Sequence, residues 1–370
     1  MKKVLHLLAS GTLGGIENLV YNSSGLSSHQ NVYVFFWNDG YYADKLINEN
    51  RIVYCLKSYH SNYSKLKKTL EIIKKEKVDV VISHHSSPIF KMMIALLKLK
   101  YKKVSTICYA HANAVDICIP GKPKGFALRK AIHKLGFRSC DNILAISDSV
   151  KNSLITFFGV SEEKVSVLYN GISLEKFHDT NKEISQNARL IYVGRLIKEK
   201  GVQKTIKALS LMSSDVDYTF TIVGDGPYRS ELVKTVEENN MQEKIFFAGP
   251  QKDVMKYLSS ADIFIHLPNW EEGFGISLIE AMASGLLCVC NSKGALPEIV
   301  KNGFNGLLVE DSSNDVLSTE FENIINNYRE NKYQLIIETA KNDVKKYSIE
   351  KYTKLLDEHI DLVYNERKQK

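Results

Sequence analysis

The sequence predicts an α/β protein with two domains, each built on a doubly wound parallel sheet. Short apolar runs of strand length alternate with longer amphipathic segments along the whole chain, which is typical of βαβ units. A length of 370 residues favours two domains over one. Two series of strand candidates, separated by a polar stretch, indicate that each half of the chain forms its own sheet.

The first half contains six predicted strands, with lysine-rich segments of helical periodicity between them. The strand candidates are Val4–Leu8, Val32–Phe36, Val78–Ser83, Val104–Tyr109, Asn142–Ile146 and Val165–Leu168. The helix candidates include Lys65–Lys75, Lys91–Leu99 and Phe126–Phe137. The first apolar run is too short for a signal peptide and leads directly into a glycine-rich turn, so we expect a buried strand there.

The second half repeats this alternation with six further strand candidates. They are Leu190–Val193, Tyr218–Val223, Ile245–Ala248, Ile263–His266, Leu287–Asn291 and Gly306–Val309. The polar segment 175–187 separates the two series, and we place the domain boundary there, with residues 1–178 in a first domain and 179–345 in a second. Residues 346–370 are assigned to a terminal helix and tail, because Ile349–Glu366 has helical apolar periodicity.

Composition excludes several classes of protein. The chain is 44% hydrophobic, 25% charged and 10% aromatic, which favours a packed globular protein over a disordered one. Its longest apolar runs are well short of the ~20 residues that span a membrane. The six cysteines form no C-x-x-C pair and no metal-spaced cluster with histidines, so we expect neither a bound metal nor disulfides. A reducing cytoplasm fits this chain best.

Charge is unevenly distributed along the chain, although the net value is only +7. Residues 1–180 carry 25 Lys and Arg against 14 Asp and Glu, whereas the rest carry 24 against 28. Most of the excess lies between Lys57 and Arg138, where 18 basic residues accompany four acidic ones. A solvated face, an anionic membrane surface, an acidic substrate and nucleic acid each account for such a stretch.

A glycine-bearing turn, Gly11-Thr12-Leu13-Gly14-Gly15, follows the first predicted strand and opens a helix. Glycines let the backbone approach a phosphate closely, and a helix N-terminus attracts anions. The spacing is neither a dinucleotide-binding fingerprint nor a P-loop. Phosphate binding and a purely structural turn both fit this segment.

Two cations follow the first predicted strand of the second half, in Val193-Gly194-Arg195-Leu196-Ile197-Lys198-Glu199-Lys200-Gly201. Ligands bind at the carboxyl ends of strands in parallel sheets, so Arg195 and Lys200 are candidates for binding a diphosphate. A solvated charged loop is the structural alternative.

The most informative segment runs from Asn269 to Gly285 and holds two carboxylates, Glu272 and Glu280, separated by seven residues. Between them, Gly273-Phe274-Gly275-Ile276 forms a turn that exposes amides to an anion and leads into a helix. Ser277-x-x-Glu280 also has the spacing of a capping box, which gives Glu280 a structural alternative. That alternative does not account for Glu272 and its flanking glycines.

Taken in order, these motifs resemble the retaining GT-B glycosyltransferases of family 4. The resemblance rests on E-G-F-G…E-A-M-A-x-G, G-R-x4-K-G, V-G-D-G-P, the early G-G-x-E and the late P-E-I-V…N-G-x-x-G-L-L-V, within residues 1–310. It implies two Rossmann-like domains facing a cleft, with a C-terminal helix that crosses back to the first domain.

The resemblance also implies roles for individual residues. Arg195 and Lys200 would bind the donor diphosphate and Glu280 the ribose hydroxyls. Glu272 would contact the transferred sugar, either as a nucleophile at the anomeric carbon or, as we favour, by binding hydroxyls. The donor would also be bound by Gly14 and Gly15 from the first domain, by His111 beside its sugar, and by Gly273, Phe274, Gly275 and Ile276. Neither a metal ion nor a cofactor would be required.

The implied function is transfer of a hexose from a UDP- or GDP-linked sugar to a glycan or lipid-linked glycan acceptor. The expected setting is capsule or exopolysaccharide synthesis, with the enzyme in the cytoplasm and bound peripherally to the inner membrane face. A nucleotide-sugar epimerase or hydrolase of the same fold is an alternative, and a basic nucleic-acid-binding protein is a weaker one because no recognised RNA- or DNA-binding motif is present.

Overall fold

The computed structural model describes residues 1–118, 125–177 and 187–369. They belong to two compact units, which we call the N-terminal unit (Met1–Ile172 with Tyr347–Lys370) and the C-terminal unit (Ser173–Lys346). The domain boundary predicted between residues 178 and 179 lies outside the described residues.

The N-terminal unit contains a seven-stranded sheet in which every strand pair is parallel. Its strands are β1 (Lys3–Ser10), β2 (Gln30–Asn38), β3 (Ile52–Cys55), β4 (Val80–Ser83), β5 (Ser105–Ala110), β6 (Asn142–Ala145) and β7 (Val165–Val167). Their spatial order is β3-β2-β1-β4-β5-β6-β7. The central strands β4 and β5 are buried on both faces, which explains why they read as unbroken apolar runs.

All six strands predicted in this half are confirmed, but the sequence prediction missed β3. This strand lies at the sheet edge, and all four of its residues are only half-buried. An apolar run this short shows neither helical nor strand periodicity, so only its pairing with β2 identifies it.

The helices of the N-terminal unit that precede the second unit are α1 (Gly15–Ser24), α2 (Tyr41–Asn48), α3 (Asn62–Lys75), α4 (Pro88–Lys100), α5 (Ala114–Cys118), α6 (Phe126–Ser139) and α7 (Asp148–Phe158). Local sequence explains several of their starts. Ser61 caps α3 by accepting a hydrogen bond from Ser64 N, and Ser147 caps α7 in the same way through Val150 N. Pro88 occupies the first turn of α4, where its missing N–H costs nothing.

The C-terminal unit contains a six-stranded parallel sheet in the order β10-β9-β8-β11-β12-β13. Its strands are β8 (Ala188–Val193), β9 (Tyr218–Val223), β10 (Ile245–Gly249), β11 (Ile263–His266), β12 (Leu287–Asn291) and β13 (Leu307–Val309), all of them predicted. Its helices are α8 (Val202–Ser210), α9 (Arg229–Glu238), α10 (Met255–Ser260), α11 (Ile276–Ala283), α12 (Leu296–Ile299), α13 (Asn314–Arg329) and α14 (Gln334–Asp343). The core beneath the helices includes the buried side chains Phe220, Leu232 and Leu317.

The final helix, α15 (Ile349–Gln369), returns to the N-terminal unit as predicted. Its buried Asp357 accepts hydrogen bonds from Ser27 Oγ at 2.8 Å, Ser28 N at 2.6 Å and Ser28 Oγ at 2.8 Å. Near the helix end, Arg367 Nη1 lies 2.9 Å from Asp141 Oδ1. None of the described helices combines the length and the apolar character needed to cross a membrane.

Candidate functional site

The candidate site of the C-terminal unit lies where its strand order reverses. The first strand, β8, has β9 on one side and β11 on the other, so the loops that follow β8 and β11 leave the sheet side by side. Such switch points are where open α/β sheets bind ligands. The loop after β8 carries Arg195 and Lys200, and the loop after β11 carries Glu272.

A glycine contact fixes these two loops against each other. Gly201 has φ +74°, and a Cβ built on it would lie 1.8 Å from the carbonyl oxygen of Leu267. Asn269 N also donates to Glu199 O at 2.8 Å. Because only glycine allows this approach, the backbone beside Lys200 is held close to the Glu272 loop.

Glu272 is the centre of a buried charged cluster. Lys200 Nζ donates to its Oε2 at 2.6 Å, and His266 Nε2 lies 3.0 Å from the same oxygen. Burial alone would raise the pKa of Glu272, but the hydrogen bond from His266 and the charge of Lys200 outweigh it and lower this pKa to about 2. Glu272 is therefore an ionised carboxylate at neutral pH, and a weak base.

The cluster includes two residues that the sequence analysis did not select for the site. His266 was predicted only as a strand residue, yet it is the last residue of β11 and is buried against Glu272. The Trp270 ring centroid lies 5.5 Å from Lys200 Nζ, and its buried Nε1 has no partner among the described residues. The sequence signal available for His266 was a histidine at the end of the apolar run Ile263-Phe264-Ile265.

A third loop, after β12, holds the backbone of Glu272 in place. A Cβ on Gly294, which has φ +59°, would lie 2.2 Å from Glu272 O. Gly294 N donates to Glu271 Oε2 at 2.6 Å, and Ala295 N donates to Glu272 O at 2.8 Å. The loop that contributes Glu272 is thus fixed on two sides.

The second cation, Arg195, has a different environment from Lys200. Its side chain is exposed, and within the described part of the chain it makes no hydrogen bond or ion pair. Its carbonyl oxygen accepts from Tyr192 Oη at 3.3 Å, which orients the loop. The site therefore offers one cation already paired with a carboxylate and one exposed to solvent.

The structure contradicts the capping-box alternative for Glu280. The N-cap of α11 is Gly275, with φ +93°, so Ser277 and Glu280 both lie inside the helix. The Glu280 side chain is half-buried and makes no hydrogen bond within the described ranges. Burial raises its pKa to about 7 and outweighs the charge of Lys176, which acts in the opposite direction.

The other predicted residues of this segment lie around the start of α11. Gly273 and Phe274 belong to the loop before the helix, and the Phe274 side chain is buried. Gly275 caps the helix without any side-chain capping bond, and Ile276 is the first helical residue. Gly275 and Ile276 therefore place an uncapped helix N-terminus at the end of the Glu272 loop.

The remaining predicted residues belong to the N-terminal unit. Gly14 is the N-cap of α1 and Gly15 its first residue, and both are exposed, with no side-chain capping bond. His111 directly follows β5, with its ring centroid 4.3 Å from that of Tyr109. Burial lowers the pKa of His111 to about 3, so its imidazole is neutral at physiological pH.

Comparisons with known proteins agree with this architecture. The family model described as Glycosyltransferase Family 4 matches residues 13–176, and the one described as Glycosyl transferases group 1 matches residues 174–343. An uncharacterised glycosyltransferase of Methanocaldococcus jannaschii is 28% identical over 359 residues, or 95% of each chain. The amylovoran biosynthesis glycosyltransferase AmsK of Erwinia amylovora is 29% identical over 49% of this chain and 47% of AmsK. The crystal structure of Anabaena HepE in complex with UDP-glucose has a TM-score of 0.81 at 20% identity, covering 98% of this chain and 100% of HepE.

The two parallel sheets and the match to solved structures define the class of protein as GT-B. The chain is a glycosyltransferase, and it belongs to family 4, since the two family models between them span residues 13–343. The family and fold implied by the sequence motifs are thereby confirmed.

Proposed function

We propose that the protein is a retaining glycosyltransferase that takes a hexose from a nucleotide diphosphate sugar, with UDP- and GDP-sugars as the candidate donors. The observation that carries this proposal is the arrangement at the switch point of the C-terminal sheet. There, Arg195, Lys200 and the N-terminus of α11 offer positive charge, while Glu280 offers a carboxyl group without a partner. HepE, a structural neighbour, was crystallised with UDP-glucose, which agrees with such a donor.

The reaction breaks the bond between the anomeric carbon and the diphosphate oxygen and forms a bond from that carbon to an acceptor hydroxyl. Negative charge grows on the departing diphosphate, where Arg195, Lys200 and helix amides would stabilise it without a metal ion. The acceptor proton passes to a diphosphate oxygen on the same face of the sugar. Glu280 would bind the ribose hydroxyls.

Glu272 fits a sugar-binding role better than that of a nucleophile. Its Oε2 already accepts from Lys200 and His266, and its carboxylate is strongly stabilised as the anion, which lowers its nucleophilicity. The cluster would hold Glu272 ionised as an acceptor for hydroxyls of the transferred sugar.

A panel of UDP- and GDP-sugars tests the donor proposal. We expect one of them to raise the melting temperature of the protein and to be hydrolysed slowly without acceptor. Arg195→Ala should abolish both effects, whereas Arg229→Ala, on the surface of α9, should not. The absence of any stabilising nucleotide sugar would refute the proposal, and recovery of an epimerised nucleotide sugar would replace transfer with epimerisation.

The acceptor is proposed to be a glycan or a lipid-linked glycan in the synthesis of a cell-surface polysaccharide, as the name of AmsK suggests for that relative. The N-terminal unit contains a cavity of about 390 Å³ lined by Trp37, His85, Arg129 and His133, among others. Both ring nitrogens of buried His133 lack partners among the described residues. An aromatic ring beside polar groups suits a sugar.

The basic N-terminal unit is proposed to dock on an anionic membrane, where a lipid-linked acceptor would be presented. Helices α4 and α6 lie against each other and expose Met92, Leu99, Leu128 and Leu135, which are 46%, 72%, 67% and 55% accessible. Basic residues are interspersed along the same helices: Lys98, Lys100, Lys130, Lys134 and Arg138. Exposed leucines flanked by cations suit an anionic bilayer surface.

A further inference from the structure

Three histidines and an asparagine form a hydrogen-bonded chain in the N-terminal unit, in which His6 and His84 are buried and Asn31 and His111 are half-buried. His6 Nε2 lies 3.2 Å from Asn31 Oδ1, and His6 Nδ1 lies 2.9 Å from His84 Nε2. His84 Nδ1 in turn lies 3.3 Å from His111 Nε2. The chain crosses from β2 through β1 to the loops after β4 and β5, and it ends at the residue proposed to lie beside the donor sugar.

Each imidazole in this chain is neutral at physiological pH. Burial lowers the pKa of His6 to about 4 and that of His111 to about 3, and it lowers the pKa of His84 well below its usual value. A neutral imidazole has one N–H donor and one acceptor nitrogen. Each ring can therefore donate a hydrogen bond to only one of its two neighbours in the chain.

Asn31 determines to which neighbour each ring donates its hydrogen bond. Asn31 Oδ1 accepts, so His6 carries its proton on Nε2 and uses Nδ1 as an acceptor. His84 must then donate from Nε2 and accept at Nδ1, and His111 must donate from Nε2. The lone pair of His111 Nδ1 remains, and that buried atom has no partner among the described residues.

Among the residues that the structure describes, none that acts on these rings reverses this order. Asp357 and His29 act on His6 only through space, and His85 and Lys91 act likewise on His111. The rings also stack, with centroids 5.2 Å apart for His6 and His84 and 5.5 Å apart for His84 and His111. Because an amide does not titrate near neutral pH, the chain has no group at its far end to take up a proton, and it orients rather than conducts.

We propose that Asn31, His6 and His84 are positioning residues that hold His111 in one tautomer, with its proton on Nε2 and with Nδ1 as an acceptor that a sugar hydroxyl contacts once the donor is bound. The role of the hydroxyl rests on the proposed function. An acceptor nitrogen selects a hydroxyl group, which donates, over an ionised phosphate oxygen, which does not. The chain would thereby favour the sugar end of the donor at His111.

Nuclear magnetic resonance of the full-length protein with ¹⁵N-labelled histidine rings tests the tautomer directly, without ligand. We expect His111 Nδ1 to be unprotonated and Nε2 protonated in the wild type. His84→Leu should produce a mixture of tautomers, and so should Asn31→Leu, which removes only the terminal acceptor. In His84→Asn, the amide oxygen takes the place of Nδ1 and should preserve the wild-type tautomer.

The matched control is His359→Leu, which removes a histidine that hydrogen-bonds Asn142 Oδ1 at 2.9 Å elsewhere in the same unit. It should leave the His111 signals unchanged. A protonated Nδ1 or mixed tautomers in the wild type would overturn the proposal. So would an unchanged tautomer in both leucine variants of the chain.

Kinetics supply the second readout, with the nucleotide sugar selected by the donor panel. We expect kcat/KM to fall about tenfold in His84→Leu, the effect of one misplaced hydrogen bond, and to be largely restored in His84→Asn. If the proposed function is wrong, no nucleotide sugar will bind, but the spectra will still show which tautomer His111 adopts. A correct tautomer with an unaltered rate in His84→Leu would refute the role toward the sugar.

Discussion

At the scale of single residues, the pKa values of two carboxylates with seven residues between them are shifted in opposite directions by their surroundings. Glu272 has two hydrogen-bonding partners, Lys200 and His266, and its pKa falls to about 2. For Glu280, burial outweighs the charge of Lys176, and its pKa rises to about 7. Pairs of carboxyl groups with pKa values shifted apart are common at functional sites, where the surroundings set the protonation state of each group.

Donor binding is expected to depend on the ionisation of Glu280. Ribose hydroxyls donate best to a carboxylate, so affinity should rise as the pH increases through about 7. In the free protein the same raised pKa makes stability fall as pH rises from about 4.5 to 7, since the folded state keeps a proton that the unfolded chain loses. Calorimetric titration of wild type and Glu280→Gln should give a pH-dependent difference in donor affinity; parallel curves would contradict it.

Acid stability is expected to depend on Glu272 in the opposite sense. A pKa lowered from 4.5 to about 2 contributes about 3 kcal/mol above pH 4.5, and this contribution disappears as the pH falls toward 2. Urea unfolding of Glu272→Gln should therefore show a lower free energy at pH 7 and a shallower decline below pH 4.5. Glu237→Gln, an exposed change on α9, serves as the control. Equal pH dependence in the two variants would show that the cluster does not stabilise the fold.

At the scale of elements, glycines decide how the loops of the C-terminal unit meet. Gly201 and Gly294 both have positive φ, and each lies against the backbone of a neighbouring loop at distances that exclude a Cβ. The motif G-R-x4-K-G thus ends in a glycine for a packing reason as well as a conformational one. Lys200 reaches Glu272 because Gly201, the residue after Lys200, has no side chain and lets the two loops approach each other.

Gly201→Ala is expected to lower the free energy of unfolding by more than backbone strain alone would lower it. Gly249 has φ +69° with open space around its Cβ position, so Gly249→Ala reports only the left-handed strain of about 1–2 kcal/mol. Gly201→Ala adds a clash with Leu267 O and should lose at least about 1 kcal/mol more. Chemical denaturation of the two variants measures the difference between their free energies of unfolding. Equal losses would mean that the loops can separate at Gly201 without destabilising the protein.

Helix α15 is expected to be anchored mainly through Asp357. Asp357→Asn weakens three hydrogen bonds to a buried carboxylate and should destabilise the protein by about 3 kcal/mol. Asp361→Asn, one turn later, removes an ion pair with Lys2 from a side chain that is 48% exposed, and should cost less than about 1 kcal/mol. The melting temperatures of the two variants test this expectation. Similar decreases in both would mean that Asp357 is not the main contact that holds α15 to the N-terminal unit.

At the scale of the whole molecule, the division of charge between the two halves of the chain has a testable consequence. Leu128→Glu with Leu135→Glu should reduce flotation with vesicles that contain phosphatidylglycerol. Leu335→Glu, at a position 75% exposed in the C-terminal unit, should not. Wild-type protein should float poorly with phosphatidylcholine alone. Equal recovery with both vesicle types would rule out docking on an anionic surface.

Much of the fold could be predicted from the sequence because buried parallel strands read as apolar runs regardless of their neighbours. Arg195, Lys200 and Glu272 could be proposed from the sequence because they closely follow such runs, and Glu280 because of its spacing from Glu272. His266 was missed because its partner, Glu272, follows in a loop whose path the sequence does not show. The capping-box interpretation of Glu280 was wrong for a similar reason, since the N-cap of α11 is Gly275, two residues before Ser277.

By itself, the sequence determined the α/β class, twelve of the thirteen strands in the described part of the chain, the family and the order of the motifs. These depend on periodicity and residue type within short segments. Tertiary structure alone decided the edge strand β3, the pairing of Lys200 with Glu272, the opposite pKa shifts of the two glutamates and the histidine chain. Those features depend on distances between atoms far apart in sequence. Burial, hydrogen bonding and charge act through such distances, and only the folded chain sets them.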